Sequence, residues 1–226
     1  MAEEQQIIKA PTVPLASNAL TTLSDMMEFI GMDPDDASIP RLVKNNLIRL
    51  INSASEYIET MTSRKFAITL YNEGHYGSGA QELCLGQYPI REVVTVEDTE
   101  NEYAVPADSY SVDDTGNIGV IYRDKGWPVR GYASGLANDL KASRKYLKVT
   151  YRAGFVLPKD ATEEAPSDLP YDLQYIVWQM VQQQWNLANN GANGLSAFTI
   201  SDVSWTFDKE LSTQVKDIIN KYQRWA

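Results

Sequence analysis

The chain predicts an α+β fold, a small α-helical bundle interrupted by a β-sheet insertion. Three observations predict it. Apolar residues recur at steps of three and four near both ends, they alternate through the middle, and 43% apolar content over 226 residues suffices for a real core without disulfides or metals.

The organising stretch runs from Pro40 to Phe66. Val43, Leu47, Leu50, Ala54, Ile58 and Met61 lie on one helical face, and Lys44, Asn45, Asn46, Asn52, Ser55, Glu56 and Glu59 lie on the other. A proline at the start and Ser38 as cap suit a helix beginning, and the helix would span roughly 35 Å at about 1.5 Å per residue. It leaves through a basic and aromatic exit, Ser63-Arg64-Lys65-Phe66.

Upstream, residues 1–20 read as an extended arm or disordered lead, with Pro11 and Pro14 and little periodicity. A short helix follows, with Thr22 and Asp25 as a capping box and Gly31 to close it. Residues 21–66 thus form the first part of the bundle.

From 67 to 152 the period changes to alternation, which predicts strands at Ile68–Tyr71, Glu82–Leu85, Val93–Glu97, Tyr110–Val112, Ile118–Tyr122 and Tyr146–Tyr151. Asp113 to Asn117 suits a hairpin turn. The glycine-rich run 124–146 makes a long loop, a contact surface by its length. Helical periodicity returns at Tyr171 and ends at Asn189–Gly194. A strand-like piece at Phe198–Phe207 and a last helix near Leu211–Trp225 complete the second part of the bundle, 153–226.

Thirty acids against twenty bases give a formal charge of −10, which argues against gripping nucleic acid through phosphates. Cys84 is the only cysteine, so a reducing compartment is expected. No basic, apolar leader and no bilayer-length apolar run is present, so no membrane role is expected.

The single histidine, His75, lies in the run Glu73 to Gly79 and is expected as an exposed loop residue; with only Cys84 nearby it makes no zinc pattern. Nucleophile-elbow and phosphate-loop patterns are missing, and the acidic clusters fall in turns. No catalytic residue, metal or cofactor is assigned, and no enzyme is expected. Trp127, Tyr132, Trp205, Phe207, Tyr222 and Trp225 read either as core or as protein contacts, the second because several lie in loops or near the terminus, where a lone chain has little to bury them against.

Four stretches, Leu20–Met32, Leu47–Phe66, Glu82–Asp98 and Leu147–Asp160 running on through Pro166–Asn186, occur in an order that resembles the gp6-like head-tail connector (adaptor) family of tailed double-stranded DNA bacteriophages. The resemblance implies a virion structural protein made in the host bacterial cytoplasm. It implies a homo-oligomeric ring, commonly twelvefold, below the portal, which extends the DNA channel without specific DNA binding and carries a tail, stopper or tail-completion protein. It maps portal contact onto Tyr222, Arg224 and Trp225, and a subunit or tail-side interface onto Trp127, Tyr132, Arg64 and Phe66. The arm before Leu20 and the loop Asp124 to Arg144 depart from the short family members. Rival readings are a β-rich binding module for a glycan or peptide, and a hydrolase using two carboxylates.

Overall fold

The computed structural model describes residues 12–99, 101–113, 118–128, 145–189, 197–200, 203–206 and 213–224. The chain divides into two compact units. One comprises Met1–Met61, Leu157–Asp160 and Leu169–Lys221; the other comprises Thr62–Val156, Ala161–Asp168 and Tyr222–Ala226. Among the described residues no helix is long and apolar enough to cross a membrane.

The first unit carries the helices α1 (Leu23–Phe29), α2 (Arg41–Thr62, reaching one residue into the second unit), α3 (Tyr171–Asn189) and α4 (Thr213–Tyr222, whose last residue also belongs there). Thr22 caps α1 by accepting the Asp25 N–H at 3.1 Å, and Gly31, at φ +78°, closes it. Helix α2 begins at Arg41, with the Pro40 carbonyl accepting the Val43 N–H at 2.9 Å. Ser38 does not cap it: its hydroxyl and N–H are spent on Asp36, whose carboxyl they hold below its ordinary pKa.

Leu47, Ile51, Ala54 and Ile58 of α2 are buried, as are Leu173, Ile176, Val177 and Val181 of α3 and Val215 and Ile219 of α4. Phe29 stacks on Trp178, centroids 5.3 Å apart, and the indole donates to the Thr21 hydroxyl at 2.7 Å.

The polar face of α2 is not simply solvated. Asn45 Oδ1 accepts the Val13 N–H, Asn52 Oδ1 accepts the Ala16 N–H, and Ser55 Oγ accepts the Leu20 N–H at 3.1 Å. These side chains satisfy the backbone of an extended lead that has no strand partner. Leu20 is fully buried at its end.

The second unit is built on an antiparallel sheet in the order β1 (Thr69–His75), β7 (Leu147–Ala153), β3 (Ile90–Asp98), β4 (Tyr103–Ala104). A three-stranded sheet runs β2 (Glu82–Cys84), β6 (Val120–Tyr122), β5 (Ser111–Val112). Strand β7 alternates buried and less buried residues, and its inward Leu147, Val149, Tyr151 and Ala153 join Leu83, Leu85, Val96, Val105, Ile121, Trp127 and Tyr146 in one core. The backbone of β8 (Ala197–Ile200) and β9 (Val203–Thr206) pairs as a hairpin in the first unit.

Strand β1 extends beyond the predicted Tyr71, because all seven residues from Thr69 to His75 pair with β7. This moves Glu73 and His75 out of the expected loop. Regular pairing outweighs the low strand preference of Gly74.

Candidate functional site

The exit of α2 is where the sequence is least ordinary. Ser63 adopts φ +53°, and the turn sends Arg64 and Phe66 inward. Arg64 is 2% exposed; its guanidinium carbon lies 3.5 Å from the centre of the Tyr88 ring, and Nη2 donates to the Tyr88 carbonyl. Among the described residues its Nε and Nη1 have no partner, and burial draws its pKa down. Phe66 is fully buried, with its ring 6.5 Å from Phe155 and 6.3 Å, edge-on, from Tyr222.

These residues form a seat for the C-terminal tail. Tyr222 packs on Phe66, and the Arg224 N–H donates to the Thr62 carbonyl at 2.9 Å. The Arg224 guanidinium lies directly over Gly86, where a Cβ would come 2.1 Å from Nη2 and 2.8 Å from Glu73 Oε1. A side chain at this position would have to push the Arg224 guanidinium and the Glu73 carboxylate aside.

Glu73 anchors the floor of the seat. Its carboxylate accepts the Gly86 N–H at 2.9 Å and the Tyr151 hydroxyl at 2.8 Å, and His75 Nε2 lies 3.2 Å away. Burial opposes its ionisation, yet the nearby His75 imidazole and the hydrogen bonds from Gly86 and Tyr151 outweigh it and bring its pKa down to about 2. Burial, and then the Glu73 carboxylate, push the Tyr151 hydroxyl far up, which keeps it a donor; it in turn accepts the Gln87 N–H at 3.1 Å. An open cavity of about 460 Å³ adjoins this network, lined by Glu73, Gly74, His75, Tyr76, Lys145 and Arg224.

The sequence-predicted interface residues separate on this structure. Tyr222 and Arg224 lie together on the seat. Arg64 and Phe66 are its buried support, and Trp127 is 1% exposed in the sheet core, with its indole donating to the Gln81 carbonyl at 3.0 Å. These three side chains are buried within the second unit, covered by residues distant in sequence. Tyr132, Trp225 and residues 129–144 of the long loop lie outside the described residues. Sequence reasoning missed Glu73, Gly86 and Tyr151 as a group; Gly86 and Tyr151 are 13 and 78 residues from Glu73, and the pairing of β1 with β7 and the loop after β2 bring them together. Among the described residues no group of three or more His, Cys, Asp or Glu could hold a metal ion.

No protein-family model matches the chain, and no curated protein sequence matches it. Solved structures do match. A chain of the virion of the native gene transfer agent (GTA) particle superposes with a TM-score of 0.52 at 13% identity, over 96% of this chain and 95% of that one. A chain of the neck of the empty GTA particle, computed with C6 symmetry, gives the same values. A chain of the neck of the native GTA particle, computed with C12 symmetry, gives a TM-score of 0.50 at the same identity and coverage. At this identity the likeness is one of fold, and it runs nearly the full length of both chains.

Proposed function

We propose that this chain is a structural protein of a virion neck, a head-tail connector that forms a ring, most simply of twelve copies, below the portal. The ring extends the DNA channel and offers a platform to a tail, stopper or tail-completion protein; no catalysis is involved. The observation that carries the reading is the full-length fold likeness to chains of GTA necks solved with C6 and C12 symmetry.

Surface chemistry supports it. Leu70, Val94 and Ile68 are about half exposed in the second unit, and Tyr171 is 81% exposed in the first. A closed ring joins two different patches of one surface, and exposed apolar groups of this kind suit such patches. The tail residues Tyr222, Arg224 and Trp225 are proposed as the portal-facing end on the resemblance to head-tail connectors.

Electron microscopy of the purified full-length chain, alone and mixed with its portal, tests the reading. Rings, or a portal complex carrying a second ring, are expected. A chain that stays monomeric with portal present overturns it. A second reading, a module binding a glycan or peptide, is favoured by one feature: an open cavity of about 530 Å³ in the second unit, lined by Tyr103, Tyr110 and Tyr122 among charged residues. Binding on a glycan array by a chain that ignores portal would favour it.

A further inference from the structure

The cavity beside the tail seat is positively charged in a strongly acidic chain. Lys145 and Arg224 line it together with His75, the last residue of β1. Among the described residues Lys145 has no carboxylate within ion-pair distance, and Arg224 has only Glu73 close by, the guanidinium and the carboxylate both lying over Gly86. The one carboxylate in the wall, Glu73, is already occupied by Gly86, Tyr151 and His75. Lys145 instead stands 6.0 Å from the face of the Tyr76 ring, a weak interaction at an exposed site. Two cations thus converge on an open space of about 460 Å³ while the chain as a whole carries −10.

We propose that this cavity is the acceptor half of the contact between copies, and that it takes carboxylates of the acidic turn Asp33-Pro34-Asp35-Asp36 of a second copy. The inference rests on the ring reading and adds the chemistry of one of its interfaces. Charge complementarity selects the occupant. The turn places three carboxylates in four residues, Asp33 and Asp35 are exposed, and hydrogen bonds from the turn's own backbone to Asp33 and Asp36 hold it in shape. A guanidinium and an ammonium at one opening suit adjacent carboxylates, with Arg224 supplying a planar fork and Lys145 a point charge. A heterologous contact of this kind repeats around a ring, because donor and acceptor are different surfaces of the same chain. The Arg224 side chain lies over Gly86 at the cavity, so on this inference it serves the neighbouring copy in place of the portal, and Tyr222 and Trp225 are left for the portal contact.

The only histidine provides the probe, since its imidazole Cε1–H signal has no other histidine to overlap it. A synthetic peptide of residues 31–40 is titrated into the full-length chain while the His75 signal is followed by NMR. The peptide is expected to move that signal saturably, and binding is expected to weaken at least tenfold in K145E/R224E. Gly86→Ala should weaken binding without changing charge, because its methyl displaces the Arg224 guanidinium. A His75 signal that does not move overturns the inference. So does binding unchanged in K145E/R224E, an equal effect from a peptide with Asn for Asp, or an equal effect from inorganic phosphate at the same concentration.

Ring assembly separates this inference from the reading beneath it. Rings that form in the wild type, fail in K145E/R224E and return in K145E/R224E/D33K/D35K support the contact. Rings that persist in K145E/R224E overturn it and leave the ring intact, whereas a wild type that forms no ring even with portal present overturns the ring and leaves the peptide titration to be read alone. Thermal melts of each variant, followed by circular dichroism, confirm that the folds compared are the same.

Discussion

Glu73 is a carboxylate that folding holds charged. Its pKa falls from an ordinary value of 4.5 to about 2, so the folded state binds its proton more weakly than the unfolded chain does. A depressed acid contributes stability that is present above the unfolded value and is lost as pH falls through the folded one, here between about 4.5 and 2. Solvent screening at a partly exposed group leaves about 1–2 kcal/mol of the full linkage. Glu73→Gln should therefore lower the stability of the chain by about that amount at pH 7, measured by urea unfolding, and the difference from wild type should vanish near pH 2. A difference that stays constant with pH would assign the loss to packing. None of this was legible at Glu73 itself, which in sequence is one acid beside a glycine. Its partners come from β7 and from the loop after β2, and long-range pairing leaves no local pattern. The burial of Arg64 and Phe66 was hidden for a related reason. A basic and aromatic helix exit looks like a surface feature until Tyr88, Phe155 and Tyr222 are seen to cover it.

Among the elements, α2 shows how a correct periodicity can hide a second task. The three-four spacing of its apolar residues predicts the buried face, and Leu47, Ala54 and Ile58 are buried as expected, but Met61 is exposed and Ile51, which that spacing left out, is buried. The opposite face reads as solvated, yet Asn45 and Ser55 are buried because the lead segment lies along them. Hydrogen bonds from a helix side chain to an extended backbone have no sequence period of their own. Ser55→Ala leaves the buried Leu20 N–H without its acceptor, and Asn52→Ala removes both the acceptor for Ala16 and the donor to the Pro14 carbonyl at 3.1 Å. Each should cost about 1–2 kcal/mol in urea unfolding. Hydrogen exchange should locate the loss, with the amides of Ala16 and Leu20 speeding up before those of α2. Loss of protection spread evenly over the unit would contradict the ladder. The glycine-rich run after β1 holds the same lesson. A Cβ on Gly77 would come 1.6 Å from the Pro128 carbonyl oxygen, so Gly77→Ala must move backbone and should cost more than about 2 kcal/mol in the same assay. The sequence marks that stretch as a turn, but only the fold shows which backbone passes over it.

For the molecule as a whole, net charge sets the relation to DNA. Phosphate binding needs several cations acting together, and the excess of ten acids over bases works against it across the surface. A neck that extends a channel must let the duplex move, and a repelling wall gives no site at which it can stick. We therefore expect the full-length chain, as a monomer and as a ring, to leave the mobility of a short linear duplex unchanged in a native gel at about 0.1 M salt, where charges further apart than about 10 Å are already screened. The cluster of His75, Lys145 and Arg224 makes the test a sharp one, because it is a place where phosphate could compete with the neighbouring copy's carboxylates. Retardation that weakens steeply with added salt and disappears in K145E/R224E would place DNA at that cavity and defeat the assignment to a protein contact. Retardation that survives the double substitution would point to a basic wall elsewhere and defeat the repelling channel instead.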